Sequence, residues 1–322
     1  MHASAVRRDA PSSSVDPADV AHFSRLAQHW WDDQGEFALL HKMNRVRIDF
    51  MREKLQEVRD WDAAKADVLG QPLPAAPSKL RFLDGMDLLD VGCGGGLLCE
   101  SAARLGASVT GVDAAEANIR IATLHAGEDR ALSLRDSVGD ARRPGSIAYA
   151  HTTAETLRDE GRQYDVVTAM EVVEHVADPA EFLRCLASLV RPGGHIFMST
   201  MSRTPLSYLL TIFLAEKVLR IVSHGTHNHD QYVNPPELVG FFRDLGWIRP
   251  DEARLANRPR LPDGAPIAPD PMRVQYETRG TMYVPLLGRW VLAPPSVLEP
   301  EGPMRLTELC NYFFWVRRPL DA

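Results

Sequence analysis

The chain has 322 residues, of which 45% are hydrophobic and 25% are charged, a composition that excludes a wholly disordered protein and allows a sizeable buried core. Its formal net charge of −7 provides no basic field that would collect phosphate backbones, so we expect no nucleic-acid partner. Because an elaborated α/β domain can reach this length, we predict a single domain over 16–322, with insertions near 61–85, 203–232 and 249–279.

The first fifteen residues, MHASAVRRDAPSSSV, contain two arginines and four serines but no apolar stretch that could act as a secretory signal. We predict that 1–15 are a disordered tail or the remnant of a mitochondrial presequence, although Asp9 is unusual in a presequence. The sequence has no run of about 18 uncharged apolar residues, so no membrane-spanning helix is expected.

Two helices are predicted ahead of the first strand. Asp16 and Pro17 form an N-cap and a first turn, followed by apolar residues at helical spacing. A second helical segment runs from about Phe37 to Leu55. We expect these helices to form a cover on the rest of the domain, and the proline-rich stretch at 61–85 to be a surface insertion.

From Met86 onward, short apolar runs alternate with helical segments, a pattern that is typical of βαβ units and a parallel sheet. The predicted fold is α/β, with a Rossmann-like, seven-stranded, mostly parallel sheet and helices on both faces. We predict strands at 86–91, 108–113, 148–153, 164–170 and 194–200, helices near 95–105, 115–126, 179–190 and 235–245, and closing strands at 280–284 and 311–316.

A glycine cluster directly follows the first predicted strand. Gly92, Gly94 and Gly96 open the next helix, so a ligand bound there would meet main chain at the carboxyl end of a parallel strand. A dinucleotide fingerprint requires glycine where Leu97 stands, which argues against a pyrophosphate. Asp90, just before the glycines, would repel a diphosphate but would pair with an ammonium or sulfonium group.

Asp113 ends the next predicted strand, at the position from which an acidic side chain can accept both hydroxyls of a ribose. Together with the glycine cluster and Asp90, it indicates a nucleoside with a cationic tail, S-adenosylmethionine (SAM). The alternative is a tight strand-to-helix turn beside a solvated carboxylate. We favour binding of SAM, because a tight turn alone would not require both the three glycines and an acidic residue at this spacing.

The run EVVEH follows the predicted strand at 164–170, beside the expected ligand. In a helix, Glu171, Glu174 and His175 would fall on one face at i, i+3 and i+4. Such a set can hold Mg²⁺, with Zn²⁺ or Mn²⁺ as alternatives, and the metal would acidify a phenolic hydroxyl of the substrate. Two other interpretations stay open: the side chains only fix the turn, or His175 acts alone as a general base.

A further feature concerns the methionyl end of the expected cofactor. The methionyl carboxylate of SAM needs a cation, and Arg45 or Arg47 in the segment NRVR can supply a bidentate guanidinium.

The apolar segment 205–222 carries interleaved charges that are too numerous for a bilayer span. It can lie in a membrane interface or cover the active site.

Five segments together closely resemble the ubiquinone-biosynthesis O-methyltransferase family in its mitochondrial, fungal form: LDVGCGGGLL, GASVTGVD, YDVVTAMEVVEHV, RPGGHIFMSTMSRT and the GTH loop. The resemblance covers 18–248 and resumes weakly at 279–316. It implies a class I SAM-dependent methyltransferase that methylates a catechol hydroxyl of 3,4-dihydroxy-5-polyprenylbenzoate and of demethylubiquinol.

The resemblance also implies roles for individual residues. Arg47 would contact the methionyl end of the cofactor, Gly92 would lie under it, Asp113 would hold the ribose, and Met170 would touch the adenosine. Glu171, Glu174 and His175 would form a magnesium site. Ser223 and His224 depart from the proline and lysine that usually precede GTH, which puts the local contact to a lipid headgroup in doubt.

The implied location is the matrix side of the mitochondrial inner membrane, with 205–222 approaching the membrane surface. A polyprenylated catechol is the expected substrate, and a ubiquinone-biosynthesis protein complex is a further expected partner. Two rival hypotheses remain: a metal-free O-methyltransferase of another small molecule, with His175 as the base, and a non-catalytic SAM-binding membrane scaffold.

Overall fold

The computed structural model describes residues 14–72, 80–138, 140, 143–210, 229–249, 270–295 and 304–321. Within these ranges nine strands form one sheet: β1 Asp87–Val91, β2 Ser108–Asp113, β3 Ser133–Leu134, β4 Ser146–His151, β5 Tyr164–Met170, β6 Val190–Met201, β7 Tyr276–Val284, β8 Arg289–Leu292 and β9 Asn311–Arg317. The helices are α1 Pro17–Leu26, α2 Ala38–Val68, α3 Leu97–Arg104, α4 Glu116–Glu128, α5 Ala154–Asp159, α6 Pro179–Ser188, α7 Pro205–Ser207 and α8 Pro235–Asp244.

The strand order across the sheet is β3-β4-β2-β1-β5-β6-β9-β7-β8. Neighbours from β3 to β6 are parallel, whereas β9, β7 and β8 pair antiparallel. The α/β fold is as predicted, but the count of seven strands is wrong. Strand β3 has only two residues, and β8 is a short, half-exposed partner of β7, so neither produces a buried apolar run.

The strand register brings the predicted site together. Asp90 of β1 lies beside Gly111 of β2 and beside Thr168 of β5. The loop that follows β1 and the last residues of β2 and β5 therefore meet at one edge of the sheet. This is the edge at which open parallel sheets bind ligands.

The hydrophobic core has two parts, one on each face of the sheet. Leu89 belongs to the cluster that packs on α5, α6 and α8, whereas its neighbour Leu88 belongs to the cluster that packs on α2 and α3. This division follows from the alternation of side chains along a strand. Because both faces are covered, the strands β1 and β2 are buried almost throughout.

Helix α2 extends further than the sequence indicates, because it continues to Val68 and so includes the first eight residues, 61–68, of the region predicted to be a surface insertion. Trp61 donates a hydrogen bond to Asp270 at 2.9 Å, and Arg317 forms an ion pair with Asp62. Charged residues dominate this half of the helix, but they pair with later parts of the chain rather than marking a loop. The proline-rich centre at 73–79 lies outside the described residues.

The N-terminal cover begins before α1. Ala177 donates its N–H to the main chain of Ser14, and Val15 forms a β-bridge with Val176, so these two residues of the predicted tail pack on the domain. The side chain of Asp16 caps α1 by accepting from Ala18 at 2.8 Å. Residues 1–13 lie outside the described ranges, as do most of 205–222 and the centre of 249–279. In the described part of the chain, none of the helices has the length and apolar character needed to cross a bilayer.

Candidate active site

A cavity of about 660 Å³ lies at the carboxyl ends of β1, β2 and β5. All nine side chains or glycines predicted for the site line it: Arg47, Asp90, Gly92, Gly94, Asp113, Met170, Glu171, Glu174 and His175. The structure therefore brings the predicted site residues together around one cavity.

The glycine loop is crowded by the chain's own side chains. Gly92, Gly94 and Gly96 all have positive φ values, of 69°, 53° and 86°. A Cβ at Gly92 would lie 2.6 Å from Val172, and one at Gly94 would lie within 2.5 Å of the Trp30 indole. Glycine is thus required both by the backbone conformation and by the close packing of these neighbours.

Asp113 is fixed by three donors. Its Oδ2 accepts from the N–H of Gly94 at 2.9 Å, and its Oδ1 accepts from the N–H of Ala115 at 2.8 Å and from the side-chain amide of Asn118 at 3.2 Å. Burial raises the pKa of Asp113, although these hydrogen bonds favour the charged form. The carboxylate has a defined orientation at the wall of the cavity.

Asp90 is a buried carboxyl at the floor of the site. It accepts a hydrogen bond from Thr168 at 2.6 Å and a weaker one from the thiol of Cys99 at 3.3 Å. Burial raises its pKa to about 6, and these bonds and the charge of Arg47 oppose that effect only in part. Asp90 therefore provides negative charge that a cationic ligand group would stabilise.

Arg47 is the buried cation of the site, with 5% of its surface exposed. Its Nη2 lies 3.7 Å from Oε1 of Glu171, and its Nε lacks a hydrogen-bond partner within the described ranges. Burial lowers the pKa of Arg47, whereas Glu171, Asp90 and Glu174 raise it. A guanidinium with an unused donor is well suited to a ligand carboxylate.

The chain after β5 does not become α-helical, in contrast to the arrangement considered for the EVVEH run. Glu171 has a φ of +56°, the sole left-handed residue other than glycine among those described, and its N–H donates to Ser199 at 2.9 Å. Val173–His175 then form a single 3₁₀ turn. Such strain is often found at functional sites, where the surrounding structure holds it in place.

Two carboxylate oxygens at this turn are buried without a hydrogen-bond partner in the described structure: Oε1 of Glu171 and Oε1 of Glu174. The other oxygen of Glu174 accepts from Thr200 at 2.8 Å. Burial, followed by the charge of Glu171, raises the pKa of Glu174 to about 7. Glu174 therefore exchanges its proton near neutrality.

Unpartnered carboxylate oxygens are the donors that a hard divalent cation prefers. Among the described residues, however, no three His, Cys, Asp or Glu side chains are grouped so that they could hold a metal ion. Glu171, Glu174 and His175 line one cavity without forming an assembled ligand set. The carboxylate oxygens are suitable ligands for a divalent metal, but the three side chains are not arranged around one point.

Sequence reasoning missed the partner of His175. Its Nδ1 lies 3.3 Å from Oδ2 of Asp19 on α1, and its ring meets Phe23 edge to face at 5.2 Å. Burial lowers the pKa of His175, but the hydrogen bond to Asp19 and the charge of Glu174 outweigh it, so the net shift is upward. The sequence around Asp19 does not indicate this contact, because Asp19 is a single acidic residue on a half-exposed helix.

An apolar part of the cavity wall also escaped the sequence analysis. It comes from the N-terminal end of α2 and from the β7–β8 hairpin. The hairpin tip leaves Met282 57%, Leu286 98% and Leu287 57% exposed. In the segment 205–222, Leu210 lines the cavity and Leu209 is exposed, while 211–228 lie outside the described residues.

The chain is similar to known methyltransferases. A family model described as a methyltransferase domain matches residues 43–247. The ubiquinone biosynthesis O-methyltransferase of Caulobacter vibrioides is 41% identical over 282 residues, which is 87% of this chain and 90% of that protein. Proteins of the same name from Roseobacter denitrificans and Brucella ovis are 42% and 43% identical, over 74% and 71% of this chain and 84% and 82% of their own lengths.

Proposed function

Since this chain belongs to the ubiquinone biosynthesis O-methyltransferase family, we propose that it transfers the methyl group of SAM to a hydroxyl of a polyprenylated catechol. The substrates would be 3,4-dihydroxy-5-polyprenylbenzoate and demethylubiquinol. The observation that carries the proposal is a single cavity lined by the glycine loop, by Asp113, by an oriented histidine and by an apolar wall.

We propose that SAM lies across the glycine loop. Arg47, with its unused Nε donor, would bind the methionyl carboxylate, and Asp113 would accept the ribose hydroxyls. Met170, the last residue of β5, would contact the adenosine side. Asp90 would stabilise the positive charge of the sulfonium or ammonium group.

The proposed reaction is an in-line displacement. The phenolic hydroxyl gives its proton to Nε2 of His175, and the oxygen then forms a bond to the methyl carbon. The carbon–sulfur bond breaks and its electron pair stays on sulfur, which leaves the methyl ether and S-adenosylhomocysteine (SAH). Asp19 orients the imidazole by accepting from Nδ1. Holding nucleophile and methyl group in line would supply most of the rate enhancement.

A divalent metal is a second candidate, supported by the buried Oε1 atoms of Glu171 and Glu174, which accept no hydrogen bond within the described residues. Mg²⁺, or Zn²⁺ or Mn²⁺ in its place, would be held by these carboxylates with His175. When bound, it would lower the pKa of the catechol hydroxyl. We place no step of the reaction on the metal, because the three side chains are not assembled around one point.

We further propose peripheral contact with a membrane surface, since a polyprenyl tail resides in lipid. Exposed apolar side chains support it on two elements that border the cavity, the start of 205–222 and the β7–β8 hairpin. A location on the matrix side of the mitochondrial inner membrane, and membership of a ubiquinone-biosynthesis protein complex, stay predictions from the resemblance. The relatives compared with this chain above are bacterial.

The proposal is tested with purified protein, SAM labelled in its methyl group and a short-tailed 3,4-dihydroxybenzoate, with Mg²⁺ or with EDTA. We expect label in a methoxy group on the ring. Transfer that survives EDTA would support His175 as the base, and transfer that EDTA abolishes and Mg²⁺ restores would support the metal. If SAH binds but no label is transferred, the scaffold hypothesis is favoured.

A further inference from the structure

Trp30, in the turn between α1 and α2, rests on the main chain of the glycine loop. A Cβ added to Gly94 or to Gly95 would lie within 2.5 Å of a Trp30 side-chain atom. On its other side the indole is stacked on the ring of Phe37, with centroids 4.0 Å apart and planes at 5°. The indole is thus held between the loop and a buried ring, and it also lines the cavity.

The indole N–H has a specific acceptor. Nε1 of Trp30 donates to Oδ1 of Asn118 at 3.0 Å. An indole nitrogen can only donate, so this bond fixes which end of the amide faces Trp30. The NH₂ end must then face the opposite way, and it donates to Oδ1 of Asp113 at 3.2 Å.

If the amide of Asn118 were reversed, its oxygen would face the oxygen of Asp113 and the two acceptors would repel each other. Asn118 is only 2% exposed, so water cannot take over either bond. Trp30 therefore acts on two of the three donors to Asp113: it sets the amide of Asn118, and it packs on Gly94.

We propose that Trp30 is a positioning residue for the ribose: through Asn118 and Gly94 it holds the carboxylate of Asp113 in the orientation that accepts the ribose hydroxyls. This inference rests on the proposed role of Asp113 in SAM binding. It also explains why the loop has glycine at both 94 and 95, since a side chain at either position would displace the indole.

The neighbouring Trp31 provides a matched control. Its Nε1 donates to the main chain of Gly95 at 3.0 Å, and its ring stacks on His125 with centroids 3.3 Å apart. Trp31 therefore fastens the same turn to the same loop, but its hydrogen bond does not lead to Asp113. A merely structural role of the turn would make the two tryptophans equivalent.

The experiment measures binding of 5′-methylthioadenosine and of its 2′,3′-dideoxy analogue to the wild type, Trp30→Phe and Trp31→Phe by calorimetry. Trp30→Phe keeps an aromatic ring and removes the donor. We expect it to weaken binding of the ribonucleoside roughly five- to tenfold, the effect of one lost hydrogen bond, and to leave the 2′,3′-dideoxy analogue, which has no hydroxyl to donate to Asp113, almost unaffected. Trp31→Phe should keep the wild-type ratio of the two affinities.

A double-mutant cycle with Asn118→Ala distinguishes the proposed role of Trp30 from a folding defect in Trp30→Phe. In an Asn118→Ala background, Trp30→Phe should cause no further loss, because the two residues act through one contact. Equal weakening of both nucleosides by Trp30→Phe, or additive losses with Asn118→Ala, would overturn the inference while leaving SAM binding intact. A wild type that does not distinguish the two nucleosides would overturn the role of Asp113 as well.

Discussion

Nδ1 of His175 lies 3.3 Å from Oδ2 of Asp19, which links the first helix to the turn after β5. A carboxylate can only accept, so Nδ1 carries the proton of the neutral imidazole and Nε2 is the basic nitrogen. In other enzymes that use a histidine base, a neighbouring carboxylate orients the imidazole in the same way. The N-terminal cover therefore contributes to the proposed catalytic arrangement.

This pairing predicts the pH dependence of methyl transfer. The imidazole must be neutral to accept a proton, so kcat/KM should fall as the pH drops through the pKa of His175, which Asp19 helps to raise. Asp19→Asn should lower that pKa, shift the acid limb to lower pH, and reduce the rate at neutral pH roughly tenfold. The exposed Asp67→Asn is the control. An acid limb at the same pH in Asp19→Asn would contradict the assignment.

A second prediction concerns the methionyl end of the cofactor. Arg47→Gln should weaken SAH binding at least roughly tenfold, because a charge-assisted hydrogen bond is lost. 5′-Methylthioadenosine, which has no carboxylate, should bind Arg47→Gln and wild type alike in calorimetry. Arg45→Gln is the matched control, since the Arg45 side chain is 89% exposed. Equal weakening of both ligands in Arg47→Gln would count against a carboxylate contact.

A third prediction follows from the buried carboxyl of Glu174. Its pKa is raised from 4.5 to about 7, so the folded state binds the proton more tightly than the unfolded chain does, and stability is lost as the pH rises through this window. Glu174→Gln should therefore raise the free energy of unfolding at pH 8 by on the order of 1–3 kcal/mol and change it little at pH 5.

Urea unfolding at the two pH values measures this effect. The exposed Glu128→Gln should leave the pH dependence of the wild type unchanged. If Glu174→Gln had the same pH dependence as the wild type, Glu174 would be ionised in the folded protein at both pH values. Its pKa would then not be raised by burial, and the prediction would be wrong.

A fourth prediction addresses the hairpin tip. Leu286 and Leu287 are exposed at the hairpin tip. Lys42 contacts Tyr283 of the same hairpin, and Arg289 pairs with Val284, so both cations could attract anionic headgroups there. Replacing both leucines by serine should weaken binding to anionic phospholipid vesicles at least roughly tenfold. The KM for a long-tailed substrate in those vesicles should rise, and the KM for a short-tailed soluble substrate should not.

The control for the hairpin is Leu80→Ser, which removes a leucine that is 83% exposed elsewhere in the chain. It should bind vesicles as the wild type does. If the hairpin variant also bound vesicles normally, any membrane contact would have to involve other parts of the chain.

The central sheet was predictable from sequence, for a physical reason. Strands β1, β2 and β5 are buried on both faces, so each is a short apolar run, and the carboxyl end of each lies at the cavity. The predicted bounds of β2 and β5 agree with the structure. Strand β4 begins two residues before its predicted start, because Ser146 is buried beside β2 without being apolar.

Contacts between distant residues were not predictable. The bond from Trp30 to Asn118 joins residues 88 apart, and the pair of Asp19 with His175 joins residues 156 apart. Helical periodicity places each residue on its own element but does not say which elements meet. The family resemblance supplied the proposed cofactor-binding residues, whereas the orientation of His175 depends on the packing of α1 and could not be predicted from the sequence.

The central claim is that a sulfonium nucleoside lies on the main chain after β1, with its ribose held by Asp113. Calorimetry of SAH with the wild type and with Asp113→Ala tests this most directly. The account predicts a single site in the wild type and at least roughly tenfold weaker binding in Asp113→Ala, because two hydroxyls lose a charged acceptor. A wild type that takes up no SAH, or an Asp113→Ala variant that binds it with unchanged affinity, would contradict the account.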